Sequence, residues 1–225
     1  MLRTSLRANA QEGPAEVAGR KQFDTGSALQ LATDFFRRSG YTSSSIDDLV
    51  HETGISRSSL YATFGNKEQL FLTALSHYCA TMMERLWVQT ALPPHPAMHR
   101  FLGDLLDAIE EWGPGGCLMT NTCAEYLAIP TAAQLRVREG LAQQQDQLVT
   151  YFQLAAARGE LPPGRSAGEL ADLFVALRQA LCLLWKAGES KAKLLTIVEV
   201  ALTVLGDPPE RTTPKSAARK KTPVR

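Results

Sequence analysis

The polar residues between Gly54 and Leu70 are the part of the sequence whose types and spacing suggest a chemistry. One side of a short predicted helix carries a guanidinium, a phenol and hydroxyl groups. The residues on this exposed arc are Arg57, Ser58, Tyr61, Ala62 and Thr63. Such groups hydrogen-bond to base edges and phosphate oxygens, and the small side chains among them permit close approach to a major groove. Lys67 adds a cation beside the free amides that open the next helix. The segment therefore predicts noncovalent binding of DNA.

The helices that must position this arc begin with two short amphipathic segments. Gly40 ends the first, whose apolar residues recur at helical spacing and are Ala28, Leu31, Ala32, Phe35 and Phe36. Either Ser44 or Ser45 caps the second, with Asp47 or Asp48 three residues later in the capping-box position. The carboxylate also lies close to the positive end of the helix dipole.

A tight reversal and two further caps complete the arrangement. Gly54 allows the chain to turn so that the next helix crosses the second, and Ser56 caps that third helix. Leu60 points to the buried side and leaves the polar arc outside. Asn66 with Gln69 caps a fourth helix. Taken as separate cues, these caps also fit an ordinary three-helix bundle.

The order in which these residues occur is more specific than any one of them. It runs through Ala32, Phe36, Gly40, Tyr41, residues 44 to 50, Gly54, Ile55, Ser56, Leu60, Tyr61, Phe64, Lys67, Glu68 and Leu70. This order resembles the N-terminal domain of the TetR/AcrR transcriptional regulators over residues 23 to 72. The resemblance implies an all-α protein, with an N-terminal three-helix helix-turn-helix domain and a C-terminal helical domain for ligand binding and dimerisation.

The resemblance also implies a set of DNA contacts by position. Those to phosphates are Ser44 or Ser45, Tyr61 and Lys67. Those facing the groove are Arg57, Ser58 and Ser59. Thr63 stands where the family usually has His or Tyr, and it joins the candidates because it lies on the same exposed arc. The implied partner is a double-stranded DNA operator, and the implied activity is regulation, most simply repression.

Composition limits the other classes of function. The chain has 225 residues, 44% of them hydrophobic, and a formal net charge of +1, so any attraction to nucleic acid must be local. Its longest apolar stretch, residues 170 to 185, is interrupted by Asp172 and Arg178, so neither a membrane span nor a signal peptide is predicted. Four cysteines without paired-motif spacing favour reduced thiols and a cytoplasmic protein.

Four regions follow from these patterns. We predict a flexible basic arm over residues 1–21, a DNA-binding domain over 22–68, an effector-binding and dimerisation domain over 69–205, and a disordered basic tail over 206–225. Within the third region the periodicity predicts helices at 67 to about 90, from Pro96 to 112, from near Cys117, from Pro130 to 158, and two more capped by Ser166 and Ser190. No alternation typical of strands occurs.

The last two predicted helices are apolar on more faces than one chain can cover. Covering them with a second subunit gives a homodimer, which would place two recognition helices on a palindromic operator. The predicted interface residues are Leu173, Leu177, Leu181, Leu184, Val198, Ala201, Leu202 and Leu205. Burial wholly inside one subunit is the alternative.

A small-molecule effector of unknown identity would bind among the middle helices. The candidate lining residues, aromatic or apolar with a few polar anchors, are Tyr78, Met82, Trp87, Trp112, Cys117, Asn121, Glu125 and Phe152, and the same segment adds Met83, Met119 and Tyr126. The same residues at helical spacing also fit plain core.

Cys117 supplies an alternative signal. It follows the loop at 113–116 and begins a helix, where the dipole lowers a thiol pKa, so redox or electrophile sensing is a second possibility beside an inert buried thiol. His95 and His99 have the spacing of metal ligands, but the prolines around His95 argue against a regular helix there, and neither metal nor cofactor is predicted. An all-helical enzyme and a helical interaction protein without DNA binding remain the rival classes, and no enzymatic motif favours the former.

Overall fold

The computed structural model describes residues 23–85 and 88–206. The predicted basic arm, Trp87 and the predicted tail after Gly206 lie outside these residues. Within the described ranges the chain is all-α, as predicted, with no β-strand.

Nine α-helices and a terminal 3₁₀-helix make up the described part of the chain. They are α1 Thr25–Ser39, α2 Ile46–Thr53, α3 Arg57–Phe64, α4 Lys67–Arg85, α5 Pro94–Glu111, α6 Leu118–Ala124, α7 Thr131–Ala157, α8 Ala167–Lys186, α9 Lys191–Leu202 and the 3₁₀-helix Thr203–Leu205.

The predicted helix ends near the N-terminus are confirmed. Ser45 and Asp48 form a reciprocal capping box on α2, and Gly54 ends that helix in the left-handed conformation with φ of 67°. Ser56 accepts a hydrogen bond from the backbone of Ser59 and caps α3. Farther along, capping side chains also start α8 and α9 at the predicted positions.

The boundary between α4 and α5 differs from the prediction. The periodicity predicts that α4 reaches about Thr90, but residues 88 and 89 are not helical, and the Val88 side chain is 1% exposed. α5 begins at Pro94 rather than Pro96, since proline lacks only an amide that the first turn leaves unpaired. His95 is therefore helical, and the argument that the prolines keep it out of a helix is wrong.

The buried side chains form one continuous core from the DNA-binding helices to the C-terminus. α1 packs on α4 and α6, α7 packs along α8, and α5 packs on α9. Phe152 of α7 stacks on Phe174 of α8 with 5.8 Å between ring centroids, and both are fully buried. Phe152 thus belongs to the core between two helices, and its prediction as a pocket residue is wrong. No helix in the described ranges is long and apolar enough to cross a lipid bilayer.

Candidate DNA-binding surface and effector cavity

The exposed surface of α3 carries most of the residues predicted to contact DNA. Leu60 is completely buried and anchors the helix, whereas Arg57, Ser58 and Thr63 are exposed. Tyr61 is 44% exposed, which is unusual for a large aromatic side chain. Ser59 is half-buried, and its hydroxyl accepts a hydrogen bond from the Ser56 hydroxyl at 2.9 Å. α3 is therefore anchored to the core by Leu60 and presents a polar arc to solvent.

Arg57 is paired within the domain. Its guanidinium forms an ion pair with the Asp47 carboxylate of α2, and both side chains are more than half exposed. Exposed ion pairs contribute little free energy because water screens them. The ion pair orients Arg57 in the free protein, and breaking it so that Arg57 can reach a phosphate or a base requires little free energy.

The two serines before α2 have different surroundings. Ser44 is 5% exposed, and its hydroxyl donates to the carbonyl oxygens of Gly40 and Tyr41 at 2.9 and 2.8 Å. Its side chain therefore closes the loop between α1 and α2 and is turned away from solvent, so the choice of Ser44 as a phosphate contact is wrong. Ser45 is exposed at the start of α2 and stays the candidate.

Lys67 also has an internal role. Its ammonium donates a hydrogen bond to the carbonyl oxygen of Ser44 and lies 4.3 Å from the ring centroid of Tyr41. Partial burial lowers the pKa of Lys67. In the free protein Lys67 therefore stabilises the loop before α2, so a phosphate contact requires its side chain to turn outward.

Two residues predicted to line the pocket instead join α6 to the DNA-binding helices. The Glu125 carboxylate accepts hydrogen bonds from the backbone amides of Tyr41 and Thr42 at 2.9 and 3.1 Å. The Asn121 amide donates to the carbonyl oxygens of Arg37 and Gly115, both at 2.8 Å. Because α6 packs on α1, these side chains face that helix rather than a cavity, and their prediction as ligand anchors is wrong.

A cavity does lie between α4, α6, α7 and α8. Five predicted residues line it: Tyr78, Met82, Met83, Cys117 and Met119. The cavity measures about 20 Å³, room for about one water molecule, and Met83, Gln143 and Gln147 also line a neighbouring apolar groove of about 300 Å³. Trp112 lies at a separate cleft between α1 and α4, where its ring stands edge-on to that of Tyr78 with 5.7 Å between the ring centroids.

Several lining residues were not predicted. They are Cys79, Gly140, Gln143, Gln144, Gln147 and Arg178. Arg178 gave a signal in the sequence, because it interrupts the apolar run of α8, yet it is only 5% exposed. Gly140 leaves room for a neighbour, since a Cβ there would come within 2.3 Å of the Met119 terminal methyl group.

Cys117 lies at the start of α6, as predicted, but its environment is set by another cysteine. The Cys182 thiol donates a hydrogen bond to the Cys117 sulfur, and together with the nearby Arg178 guanidinium this holds the pKa of Cys117 well below its usual range. The same hydrogen bond and burial raise the pKa of Cys182. Burial also raises the pKa of Cys79 and that of Cys123 to about 11. All four cysteines are free thiols.

The predicted interface residues divide into two groups. Leu181, Val198, Leu202 and Leu205 are 0 to 8% exposed in one chain and belong to its core, so they are wrong as interface positions. Leu173, Leu177, Leu184 and Ala201 are exposed or half-buried. With Leu183, Ile197, Val200 and Val204 they are accessible apolar residues of α8, α9 and the 3₁₀-helix, here called the α8–α9 face. Val200 is 66% exposed and Leu183 46%.

The histidines on α5 do not gather other metal ligands. His99 forms a pair with Glu199 of α9, with 3.1 Å between Nε2 and Oε1. Over residues 23–85 and 88–206, no group of three or more His, Cys, Asp or Glu side chains could hold a metal ion.

The sequence and the fold are similar to known proteins. Residues 28–74 match the family model of bacterial regulatory proteins of the tetR family, and residues 94–200 match that of the tetracyclin repressor-like C-terminal domain. The HTH-type transcriptional repressor ComR of Escherichia coli (strain K12) is 29% identical over 187 residues, which cover 81% of this chain and 89% of ComR.

Solved structures give the same likeness. A TetR transcriptional regulator of Rhodococcus sp. RHA1 is 31% identical, with a TM-score of 0.51, over 81% of this chain and 98% of that chain. A cysteine mutant of the TetR family regulator CifR, complexed with 26 bp double-strand operator DNA, is 28% identical, with a TM-score of 0.66, over 82% of this chain and 98% of that chain.

Proposed function

Because the chain belongs to the TetR family of bacterial DNA-binding transcriptional regulators, we propose that it is a repressor whose homodimer binds a palindromic operator and leaves it when a small molecule binds. Family membership confirms the predicted class, a DNA-binding regulator and not an enzyme. The name of ComR and the operator complex of CifR support repression through an operator. A repressor of chromosomal genes acts in the cytoplasm, which is the compartment we propose.

The observation that carries the proposal is the polar arc of α3. Leu60 fixes the helix to the core while Arg57, Ser58 and Tyr61 stay accessible. Hydroxyls and a guanidinium on an accessible helix can enter a major groove and hydrogen-bond to bases and phosphates. We assign DNA binding to residues 22–68, and effector binding and dimerisation to 69–205.

The α8–α9 face supports a homodimer. Its leucine and valine side chains are large apolar groups that one chain leaves exposed or half-buried. A second copy would cover it and set two α3 helices about one DNA turn apart, which suits a palindrome.

The effector cavity is close enough to the DNA-binding helices to influence them. Cys117 lines the cavity and directly follows the loop that accepts hydrogen bonds from Arg37 of α1. A ligand shifts DNA affinity only if it binds better to the conformation that does not fit DNA.

Binding to the DNA flanking its own gene tests the regulator role. Fluorescence anisotropy should show a complex that survives excess unrelated DNA, and Arg57→Ala should weaken it at least tenfold. Arg100→Ala, an exposed arginine of α5, is the matched control and should leave the affinity unchanged. Absence of a specific complex at low salt would contradict the proposal.

A second signal is favoured by the contact between Cys117 and Cys182. Hydrogen peroxide would take two electrons and two protons from the two thiols, leaving a Cys117–Cys182 disulfide and two water molecules. Such a bond would tie α6 to α8 beside the Arg37 loop. Cys117→Ser should bind operator DNA normally and lose any peroxide response, whereas a response that persists would place sensing elsewhere.

A further inference from the structure

Arg178 is a buried cation with no carboxylate partner in the described part of the chain, although it lies near the Cys117 thiol. It lies in the middle of α8 and is 5% exposed. No Asp or Glu of residues 23–85 and 88–206 forms an ion pair with it, and no residue of these ranges accepts a hydrogen bond from its side chain. Its one oriented contact is the ring of Phe101, 5.9 Å from the guanidinium carbon to the ring centroid.

Arg37 shows how this chain satisfies a structural arginine. It is buried to the same degree, at 4% exposure, but its guanidinium donates to the carbonyl oxygens of Trp112 and Gly116 at 2.7 and 3.4 Å. Asp34 completes the set with an ion pair at 3.4 Å. Since buried charges are normally paired in this way, the isolation of Arg178 calls for a partner from outside the chain.

The Tyr78 hydroxyl is a second group without a partner at the same place. Tyr78 is 7% exposed, and its hydroxyl has no oxygen or nitrogen partner within the described residues; its nearest polar neighbour there is the Cys117 sulfur, a weak acceptor. Tyr78 and Arg178 line the same cavity, whose described lining contains no carboxylate. A buried hydroxyl without an oxygen or nitrogen partner and a buried cation without a carboxylate partner are complementary to a single anionic group.

We propose that this cavity binds the carboxylate of a small organic acid, with Arg178 as its charge partner and Tyr78 as a hydrogen-bond donor. The proposal rests on the proposed effector function and assigns the effector a chemical class. Met82 and Met119 line the rest of the cavity, so the remainder of the acid is apolar.

The neighbouring groove gives this apolar part a place. Met83 lines both the cavity and the groove of about 300 Å³, where Val88 and Tyr151 add apolar surface. The cavity alone, at about 20 Å³, is too small for more than a compact head group. The acid therefore places its carboxylate at Arg178 and extends its hydrocarbon toward Met83.

Matched pairs of acids and amides test the charge requirement. Hexanoate, benzoate and phenylacetate are compared with their primary amides by calorimetry on the full chain without DNA. We expect at least one acid to bind ten times more tightly than its amide, and Arg178→Gln to abolish that difference. Arg100→Gln, the same change at an exposed site, should preserve it. Acids that bind no better than their amides would overturn the proposal.

A measurement on the ligand-free protein checks that Arg178 lacks a strong internal partner. Arg178→Met keeps the length and most of the volume of the side chain, so removing an unpaired buried cation should raise the melting temperature. A lower melting temperature would reveal an internal partner and overturn the proposal.

The outcome does not depend on DNA binding. If acids bind and no operator complex forms, the regulator role fails while the site stands. If the operator complex forms and the acids do not bind, only the effector class fails. If a bound acid releases the operator and Arg178→Gln abolishes that release, both the acid site and the regulator role are supported.

Discussion

The guanidinium of Arg37 donates a hydrogen bond to the carbonyl oxygen of Trp112 across 2.7 Å and thereby ties α1 to the loop that precedes α6. The Asn121 amide of α6 donates back to the carbonyl oxygen of Arg37. Gly115 of the loop lies so close that a Cβ there would come within 2.6 Å of Arg37. The DNA-binding helices are thus joined to the cavity wall by a buried and fully hydrogen-bonded arginine.

Replacing Arg37 should loosen this junction. Arg37→Met leaves the carbonyl oxygens of Trp112 and Gly116 without that donor, so we expect the free energy of unfolding to fall by about 3 kcal/mol. Urea denaturation followed by circular dichroism measures the loss. Arg38→Met is the control, since Arg38 is exposed and pairs with Glu52 at the surface. Equal effects of the two substitutions would contradict the structural role of Arg37.

Glu125 is a second junction that can be tested separately. Glu125→Ala removes the acceptor of the Tyr41 and Thr42 amides, and we expect it to lower stability by about 1–2 kcal/mol. It should also weaken operator binding, because the loop before α2 loses its support. Glu139→Ala, on the exposed side of α7, should change neither quantity. Normal DNA affinity in Glu125→Ala would show that the loop is positioned by other contacts.

Local chemistry explains why the helix ends near α2, α3 and α8 could be predicted. A cap depends on residues three positions apart, so the pairs Ser45–Asp48 and Ser166–Glu169 are visible in the sequence itself. The same holds for the exposed arc of α3, which follows from helical periodicity once Leu60 is taken as the buried side.

Contacts between distant segments could not be read in this way. Asn121 and Glu125 were sensible ligand anchors by type, but their partners lie more than eighty residues away in α1 and the loop after it. In α9 nearly every face is apolar, so periodicity could not distinguish Val198, which is in the core, from Val200, which is on the surface. Arg178 looked like a break in an apolar run, and only the fold places it at a cavity.

Tyr61 and Lys67 should contribute to DNA binding in different ways. Tyr61→Phe removes one hydroxyl from the exposed arc and should weaken binding to specific and unrelated DNA alike. Lys67→Met should also reduce the slope of log K against log salt by about one, because one phosphate contact is lost. Anisotropy titrations over a range of salt concentrations measure both. Lys193→Met, on α9, is the control, and an unchanged slope in Lys67→Met would leave this lysine with its internal role alone.

Alkaline pH should destabilise the protein through two thiols. The pKa of Cys79 and that of Cys123 are raised by burial from 9.0 to about 11 in the folded chain, so the unfolded chain loses these protons first as pH rises. Their stabilising contribution is complete below pH 9 and is lost as pH approaches 11, by about 2 kcal/mol per thiol. Between pH 8.5 and 10.5 the free energy of unfolding should fall less in Cys79→Ala and in Cys123→Ala than in the unsubstituted protein. A loss equal to that of Thr81→Ala, an exposed control on α4, would exclude the thiols as its cause.

Charge on the α8–α9 face should separate the two copies without unfolding either. Val200→Glu and Leu183→Glu place a carboxylate on side chains that are exposed in one chain, so the monomer should keep its helical content while the dimer dissociates. Leu202→Glu should instead unfold the chain, because Leu202 is completely buried. Sedimentation velocity and circular dichroism distinguish these outcomes. Leu127→Glu, at a site that is 94% exposed and belongs to neither α8 nor α9, should stay dimeric. If the Val200→Glu protein is still dimeric, the dimer interface does not include this face. If it is a folded monomer that binds the operator more weakly, operator recognition by α3 requires two paired copies.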